Sequence, residues 1–118
     1  MSDTVSWILA LAVKEGELEN LRNLMAEMVE HTKNEPGALT YEWFVSDDGS
    51  AVHIYERYAD SAAVLAHLGG FGEHFAERFM AAADPTGFHV YGNPDDTARG
   101  ALLGQGAEFF GPFGGFAH

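Results

Sequence analysis

The stretch from Val52 to His67 changes its hydrophobic period part-way along, and this change restricts the fold more than any other feature of the sequence. Residues 52–58 alternate with a period of two, which predicts a β-strand. One face of this strand carries Val52, Ile54, Glu56 and Tyr58. From residue 60 onward the apolar side chains recur at helical spacing, and Asp60 or Ser61 can cap the first turn. A strand that runs directly into a helix therefore brings Glu56, Tyr58 and His67 to one corner of the fold.

The first half of the chain predicts a strand, a helix and a second strand. Residues 5–13 form a nearly unbroken apolar run, which is typical of a strand covered on both faces. An apolar stripe from Leu18 predicts a helix that ends near Asn34, because Pro36-Gly37 cannot continue it. Residues 38–46 alternate again and predict the second strand. The Asp-Gly pair in the turn at 47–50 then joins it to the third strand as a hairpin.

The second half predicts an interrupted helix and a fourth strand. Three glycines lie within residues 69–72, and each costs about 1 kcal/mol of helix stability relative to alanine. We therefore expect the helix that begins near Asp60 to break there. Helical spacing resumes over residues 73–83 and stops at Asp84-Pro85. Residues 87–92 are aromatic and β-branched, and predict the fourth strand.

The order β-α-β-β-α-β predicts an α+β, ferredoxin-like fold, in which an antiparallel sheet carries both helices on one face. We assign residues 1–93 to this domain. The opposite face of the sheet would expose large apolar side chains, so we expect a homodimer that covers it.

Residues 94–118 predict a C-terminal extension rich in glycine and phenylalanine. A helix can start at Pro94 to Thr97, but the residues beyond Gly104 are too rich in glycine to fold alone. Four phenylalanines lie in the last part of the extension: Phe109, Phe110, Phe113 and Phe116. We expect them to be buried on the chain's own domain or on a partner subunit; a disordered tail is the alternative.

Charge and composition exclude several classes of function. Eighteen acidic against six basic residues give a net charge of -12, which repels nucleic acid and anionic membrane surfaces. The chain has no cysteine, so it forms neither disulfides nor thiolate metal sites. Residues 1–4 lack the basic region of a signal peptide, and no apolar run approaches the roughly 20 residues of a spanning helix. These features predict a cytoplasmic protein.

Motifs for other enzyme classes are missing from the sequence. The six histidines form no HxH or HExxH arrangement, so a metal site is not predicted. The serines lack a GxSxG context, and the glycine runs lack the lysine of a phosphate loop. The polar face of the first helix carries Glu17, Glu19, Glu27, Glu30 and Glu35. We interpret this face as a solvated surface and not as a site.

Four features together resemble a known family. They are the order of elements, the Glu35-Pro36-Gly37 turn leading to Tyr41, the strand end Glu56-Arg57-Tyr58, and His67 in the following helix. This combination resembles the antibiotic biosynthesis monooxygenase family of small dimeric α+β barrels, over about residues 4–92. The family usually ends the strand with Glu, any residue, then Trp, and Tyr58 stands at the tryptophan position here.

The resemblance implies that an electron-rich aromatic, such as a quinol or a polyketide anthrone, is oxidised by molecular oxygen without metal or flavin. In this scheme His67 is the base, because the unperturbed pKa of histidine is about 6.5. Glu56 would orient His67 or stabilise its charge. Tyr58 would donate a hydrogen bond to the developing oxyanion, and Tyr41 and Trp43 would bind the substrate ring. We expect the neutral form of the substrate to bind.

Other interpretations remain open at this point. His67 could be an ordinary half-exposed helix residue, Glu56 could pair with Arg78, and Tyr58 and Trp43 could be core residues. The protein could be a non-catalytic dimeric barrel that binds a small apolar metabolite, or a structural dimer with a filled interior. A haem-degrading relative is disfavoured, because the first strand offers Ser6 and Trp7 but no asparagine.

Overall fold

The computed structural model describes residues 3–118, so Met1 and Ser2 of the predicted N-terminal segment lie outside the described residues. The elements in chain order are β1 (Val5–Val13), α1 (Leu18–Lys33), β2 (Ala38–Val45), β3 (Ala51–Tyr58), α2 (Ser61–His74), α3 (Ala76–Ala82), β4 (Ala83–Gly92), α4 (Asp96–Gly104) and β5 (Glu108–Phe110). Within residues 3–118, no helix combines the length and the apolar character needed to cross a membrane.

The strands form one mixed sheet in the order β2-β3-β1-β4-β5. The pairs β2–β3, β3–β1 and β1–β4 are antiparallel, and only β5 runs parallel to its neighbour β4. On β3 the side chains of Val52, Ile54, Glu56 and Tyr58 are buried. Their alternation with more exposed neighbours follows the period of two in the sequence. The predicted α+β, ferredoxin-like fold is confirmed.

All the helices cover one face of the sheet, where two apolar clusters form the core. In the first cluster, α1 and α3 pack on the middle of the sheet, with Leu24 and Phe79 among the buried side chains. In the second, α2 and α4 pack on β1, β3 and β4 around Trp7 and Tyr58. Leu9 packs against both clusters, and a cavity lies where they meet.

The break predicted at residues 69–72 is wrong, because α2 runs unbroken from Ser61 to His74. The interruption lies at Phe75, where the backbone leaves helical geometry before α3 begins. The side chain of Asp60 accepts a hydrogen bond from the Ala63 amide at 2.9 Å and caps the first turn. Buried contacts of Val64 and His67, together with the ring contact of Phe71 on Phe79 at 5.1 Å, hold the helix against the core. Tertiary packing therefore outweighs the cost of the glycines.

Strand β4 begins earlier than predicted, at Ala83, and includes Asp84-Pro85. Pro85 lies opposite Leu11 of β1, next to a shift in the strand register between Ala10 and Leu11. Such an irregularity tolerates proline, which cannot donate to a regular ladder. The helical segment still ends just before Asp84-Pro85, at Ala82.

The C-terminal extension packs on the chain's own domain through α4 and β5. Ala98 and Leu102 are fully buried in the second cluster, and the Asp95 amide donates to the Ser61 hydroxyl at 2.9 Å. Phe109 is half-buried, with the Arg99 guanidinium 4.0 Å above its ring. The other three phenylalanines predicted to be buried, Phe110, Phe113 and Phe116, are exposed in the single chain.

Two glycines provide a matched test of packing. A Cβ at Gly37 would lie 2.3 Å from the Ala63 Cβ, whereas one at Gly69 would meet nothing within 4 Å. We expect Gly37→Ala to lower the free energy of unfolding by about 1–3 kcal/mol through overpacking. Gly69→Ala should raise it by about 1 kcal/mol, because alanine is the better helix former. Urea denaturation of both variants measures this. A destabilised Gly69→Ala protein would contradict the continuous helix.

Candidate functional site

A mostly apolar cavity of about 80 Å³ lies between the sheet and the helices. Its inner wall includes Trp7, Tyr41, Glu56 and His67, with Ile54, Phe79 and Phe88 around them. The exposed residues Met80, Pro85 and Gln105 also line the cavity and mark its mouth. The interior is therefore not filled, and its inner wall carries a carboxylate and an imidazole beside the phenol of Tyr41.

His67 lies between two carboxylates that come from different elements. Its Nδ1 is 2.9 Å from Oε1 of Glu35, just beyond the end of α1, and its Nε2 is 3.2 Å from Oε1 of Glu56 on β3. The His67 side chain is 8% exposed, so it is not the half-exposed helix residue of the alternative interpretation. The side chains of Glu56 and Glu35 are 5% and 16% exposed.

Tyr58 lies behind Glu56, away from the cavity. Its hydroxyl donates to Oε1 of Glu56 at 2.6 Å. Its ring, which is fully buried, lies 4.9 Å from Trp7 and 5.0 Å from His67, measured between ring centroids. Tyr58 does not line the cavity. Its contact with Glu56 indicates that it positions this carboxylate.

The surroundings of His67 change its protonation state. Burial by itself would lower the pKa of the imidazole, but the hydrogen bonds and negative charges of Glu35 and Glu56 outweigh this effect and raise the pKa to about 9. At neutral pH the ring is therefore an imidazolium. The unperturbed pKa on which the prediction of a His67 base rested does not apply in this structure.

The two tyrosines near His67 remain neutral. Burial raises the pKa of Tyr41 and of Tyr58 far above the usual value, and the negative charge of Glu56 raises both further. The rings of Tyr41 and His67 are 5.7 Å apart, and Tyr41 lines the cavity. Both phenols therefore keep their proton at physiological pH, and Tyr58 already donates its proton to Glu56.

Trp43 does not line the cavity, although its ring lies 6.3 Å from that of Tyr41, measured between centroids. It lines a separate hollow against α1, beside Leu21 and Met25, and its ring packs 6.3 Å from that of Phe79. Its Nε1 is buried and has no hydrogen-bond partner within residues 3–118. The structure thus brings together His67, Glu56, Tyr58 and Tyr41, whereas Trp43 packs beside Tyr41 outside the cavity.

The interpretation of Glu35 as a solvated surface residue is wrong, because it forms the ion pair with His67 described above. A signal for this was present in the sequence. Position 35 continues the buried stripe of α1, in which Met28 and Thr32 are the preceding members. The alternative in which Glu56 pairs with Arg78 is also wrong. Arg78 forms a bidentate ion pair with Glu27, with N–O distances of 2.6 and 2.9 Å.

A family model described as antibiotic biosynthesis monooxygenase matches residues 4–79. The chain belongs to the antibiotic biosynthesis monooxygenase family. The matched range includes Glu35, Tyr41, Glu56 and His67, and the resemblance predicted from the sequence is confirmed. No curated protein matches the chain in sequence.

Solved structures extend the comparison beyond this family match. MupZ from Pseudomonas fluorescens is 28% identical, with a TM-score of 0.89 over 100% of this chain and 91% of MupZ. Protein SO0527 from Shewanella oneidensis is 26% identical, with a TM-score of 0.64 over 76% of this chain and 88% of its own. SnoaB, a cofactor-independent oxygenase from Streptomyces nogalater, is 16% identical, with a TM-score of 0.67 over 80% of this chain and 96% of SnoaB. At that identity SnoaB shows the common antibiotic biosynthesis monooxygenase fold alone.

The ion pairs of His67 predict how stability depends on pH. The pKa of His67 is about 9 in the folded chain against 6.5 for the free side chain, so the folded state holds a proton that the unfolded state releases. The stabilisation is complete below about pH 6.5, is lost as the pH rises to about 9, and amounts to about 3 kcal/mol. Urea denaturation at pH 6 and at pH 9.5 measures the loss in the free energy of unfolding. This loss should be absent in His67→Gln and should persist in the exposed control His89→Gln. An equal decrease in both variants would contradict the assignment.

Proposed function

We propose that this protein is a cofactor-independent monooxygenase that oxidises a small electron-rich aromatic, such as a quinol or an anthrone-like ring, with molecular oxygen. The observation that supports it is the imidazolium of His67 held between Glu35 and Glu56 at the wall of an apolar cavity. Membership of the antibiotic biosynthesis monooxygenase family, and the common fold with the oxygenase SnoaB, point the same way.

With an anthrone-like substrate, the reaction converts a ring CH₂ and O₂ into a ring C=O and one H₂O. The substrate must first lose a proton, because only the electron-rich anion transfers an electron to oxygen. One oxygen atom then forms the new carbonyl, and the other leaves as water with two hydrogens from the substrate. The protein has to accept one proton early and return it when the O–O bond breaks.

Glu56 is the proton acceptor in this proposal. Its contacts with Tyr58 and His67 both use Oε1, and Glu56 lines the cavity. The second carboxylate oxygen can therefore receive the substrate proton. The positive charge of His67 stabilises the substrate anion formed beside it, and Tyr41 donates a hydrogen bond to the oxyanion. Trp43 is left with a packing role.

The size of the cavity restricts the substrate. Its volume of about 80 Å³ is below the roughly 150 Å³ of a protein cavity that holds benzene, so even one aromatic ring requires the lining to move. Met80 and Gln105 are exposed at the mouth, so we expect their side chains to move when a ring enters. A larger substrate would insert its reacting ring and leave the rest at the mouth. The net charge of -12 favours a neutral substrate over an anion.

A second candidate is a non-catalytic protein that binds a small apolar metabolite in the same cavity. One observation favours this candidate: both ring nitrogens of His67 already contact carboxylates. The hydrogen bonds of the imidazole are therefore complete without a substrate.

Oxygen uptake with anthrone and a panel of quinols separates the two candidates. We expect product only when oxygen is present, and about a 10²-fold or greater loss of turnover in Glu56→Gln, since the proton acceptor is removed. Glu30→Gln, which changes an exposed carboxylate on α1, is the matched control and should retain full activity. Equal conversion without oxygen would exclude a monooxygenase. Binding of the same compounds without any turnover would favour the second candidate.

We further propose a homodimer through the sheet face opposite the helices. This face carries an apolar groove lined by Ile8, Phe44 and Tyr55, and the side chain of Phe44 is 55% exposed. A second copy would remove this apolar surface from water.

Light scattering after size exclusion tests the dimer. We expect twice the chain mass for the wild type and dissociation in Phe44→Glu, because the new charge would be buried in the interface. Leu103→Glu, on the helix face and 56% exposed, is the control and should remain dimeric. A monomeric wild type would contradict the proposal.

A further inference from the structure

The ion-pair network of the site continues past Glu35 towards the surface. Oε2 of Glu35 lies 3.4 Å from Nδ1 of His31 on α1, while Oε1 contacts His67. The His31 side chain is 38% exposed and that of His67 only 8%. One carboxylate therefore joins a buried imidazole to a solvent-accessible one.

Helix α2 leaves space for this arrangement at Gly70. A Cβ on that residue would lie 3.1 Å from Cε1 of His31 and 3.8 Å from Oε2 of Glu35. Any larger side chain would therefore press on the contact between the histidine and the carboxylate. His31 is also held by rings of α2 and its C-cap, with centroids 5.2 Å away for His74 and 5.3 Å away for Phe75.

The inner end of the network is closed. Tyr58, which donates to Glu56, is fully buried, and its phenol stays neutral. A proton that enters the network at Glu56 or His67 therefore has no exit through Tyr58. The outward direction, through Glu35, is the one in which side-chain exposure increases.

We propose that Glu35 and His31 form the path by which protons pass between the buried His67 and solvent. The inference rests on the proposed function for its purpose, which is to carry away the proton taken from the substrate and to return it. Glu35 is a positioning residue that holds His67, and His31 is the outer end of the path. Neither touches the cavity.

Each transfer along this path moves a proton and no electrons. Nδ1 of the His67 imidazolium passes its proton to Oε1 of Glu35 and leaves a neutral ring that keeps its proton on Nε2. A proton that returns from Glu35 to Nδ1 restores the imidazolium. The Glu35 carboxyl group rotates and passes the proton to Nδ1 of His31. His31 releases a proton from Nε2 to water. Within residues 3–118, the ionisable groups described as facing His31 are Glu35, just after α1, and His74 on α2.

Proton exchange measured by NMR tests the path without any substrate. We expect the Nδ1 proton of His67 to exchange with water roughly tenfold more slowly in His31→Gln, a change that corresponds to a barrier higher by about 1.4 kcal/mol. Exchange of the Nε2 proton, which faces Glu56, should be unchanged. His89→Gln is the matched control, because His89 is 46% exposed and lies 3.4 Å from the carboxylate of Glu108. It should exchange like the wild type.

Gly70→Ala disturbs the same contact without altering either of its residues. The added methyl group presses on His31, so we expect the same slowing of the Nδ1 proton in a protein whose ionisable groups are all retained. Nδ1 exchange at the wild-type rate in both His31→Gln and Gly70→Ala would overturn the path. This result does not depend on whether the protein consumes oxygen.

Turnover provides the second measurement. If the protein oxidises a quinol, His31→Gln should lose about tenfold in rate in a buffer of low concentration, and added imidazole should restore it by shuttling protons. Wild type and His89→Gln should not respond to imidazole. A rate loss in His31→Gln that imidazole does not restore would mean a structural role for His31, and would contradict the path even though the monooxygenase remained active.

Discussion

The burial of a charged imidazole between two carboxylates is the constraint on which the rest of this structure depends. An ionised group away from water is costly unless its partners are close and well placed, and His67 needs both Glu35 and Glu56. These side chains come from the end of α1, from β3 and from α2. The three elements must therefore keep their relative positions. The split βαβ arrangement provides this, because β3 leads directly into α2 while the turn after α1 lies over the same end of the sheet.

The apolar surroundings strengthen the electrostatic interactions among His67, Glu35 and Glu56. Trp7 and Tyr58 pack against the imidazole and exclude water from its faces, and Coulomb interactions grow as the local dielectric constant falls. With His67 protonated, the three groups carry one net negative charge. In the proposed reaction this arrangement accepts a proton from a neutral substrate. It is poorly suited to hold a second anion, unless that anion forms beside the imidazolium after its proton has left.

Much of the fold and part of the site follow from the sequence, since they depend on local patterns. The alternation in β3 and the change to helical spacing after Asp60 correctly predicted the two faces of the strand and the approach of Glu56, Tyr58 and His67. The failures concern contacts between residues far apart in the chain. Glu35 is 32 positions from His67, so the sequence could show that position 35 continues the buried stripe of α1 but not which residue it meets. The glycines of α2 looked like a break, because the packing of Phe71 and the room that Gly70 leaves for His31 are not visible in a local pattern.

The position of α4 connects the extension to the chemistry of the cavity. Leu102 anchors this helix in the second cluster, and Gln105, immediately after α4, reaches the mouth beside Met80 and Pro85. Without residues 94–118 this side of the cavity would lie open to water, and the ion pairs of His67 would lose part of their apolar cover. A closed inner site needs a separate route for protons once substrate fills the mouth, because water can then no longer reach His67 from the cavity. The route through Glu35 leaves on the far side of the imidazole and stays open whatever occupies the mouth. A cavity that closes over its substrate therefore requires a carboxylate such as Glu35 on the far side of the His67 ring.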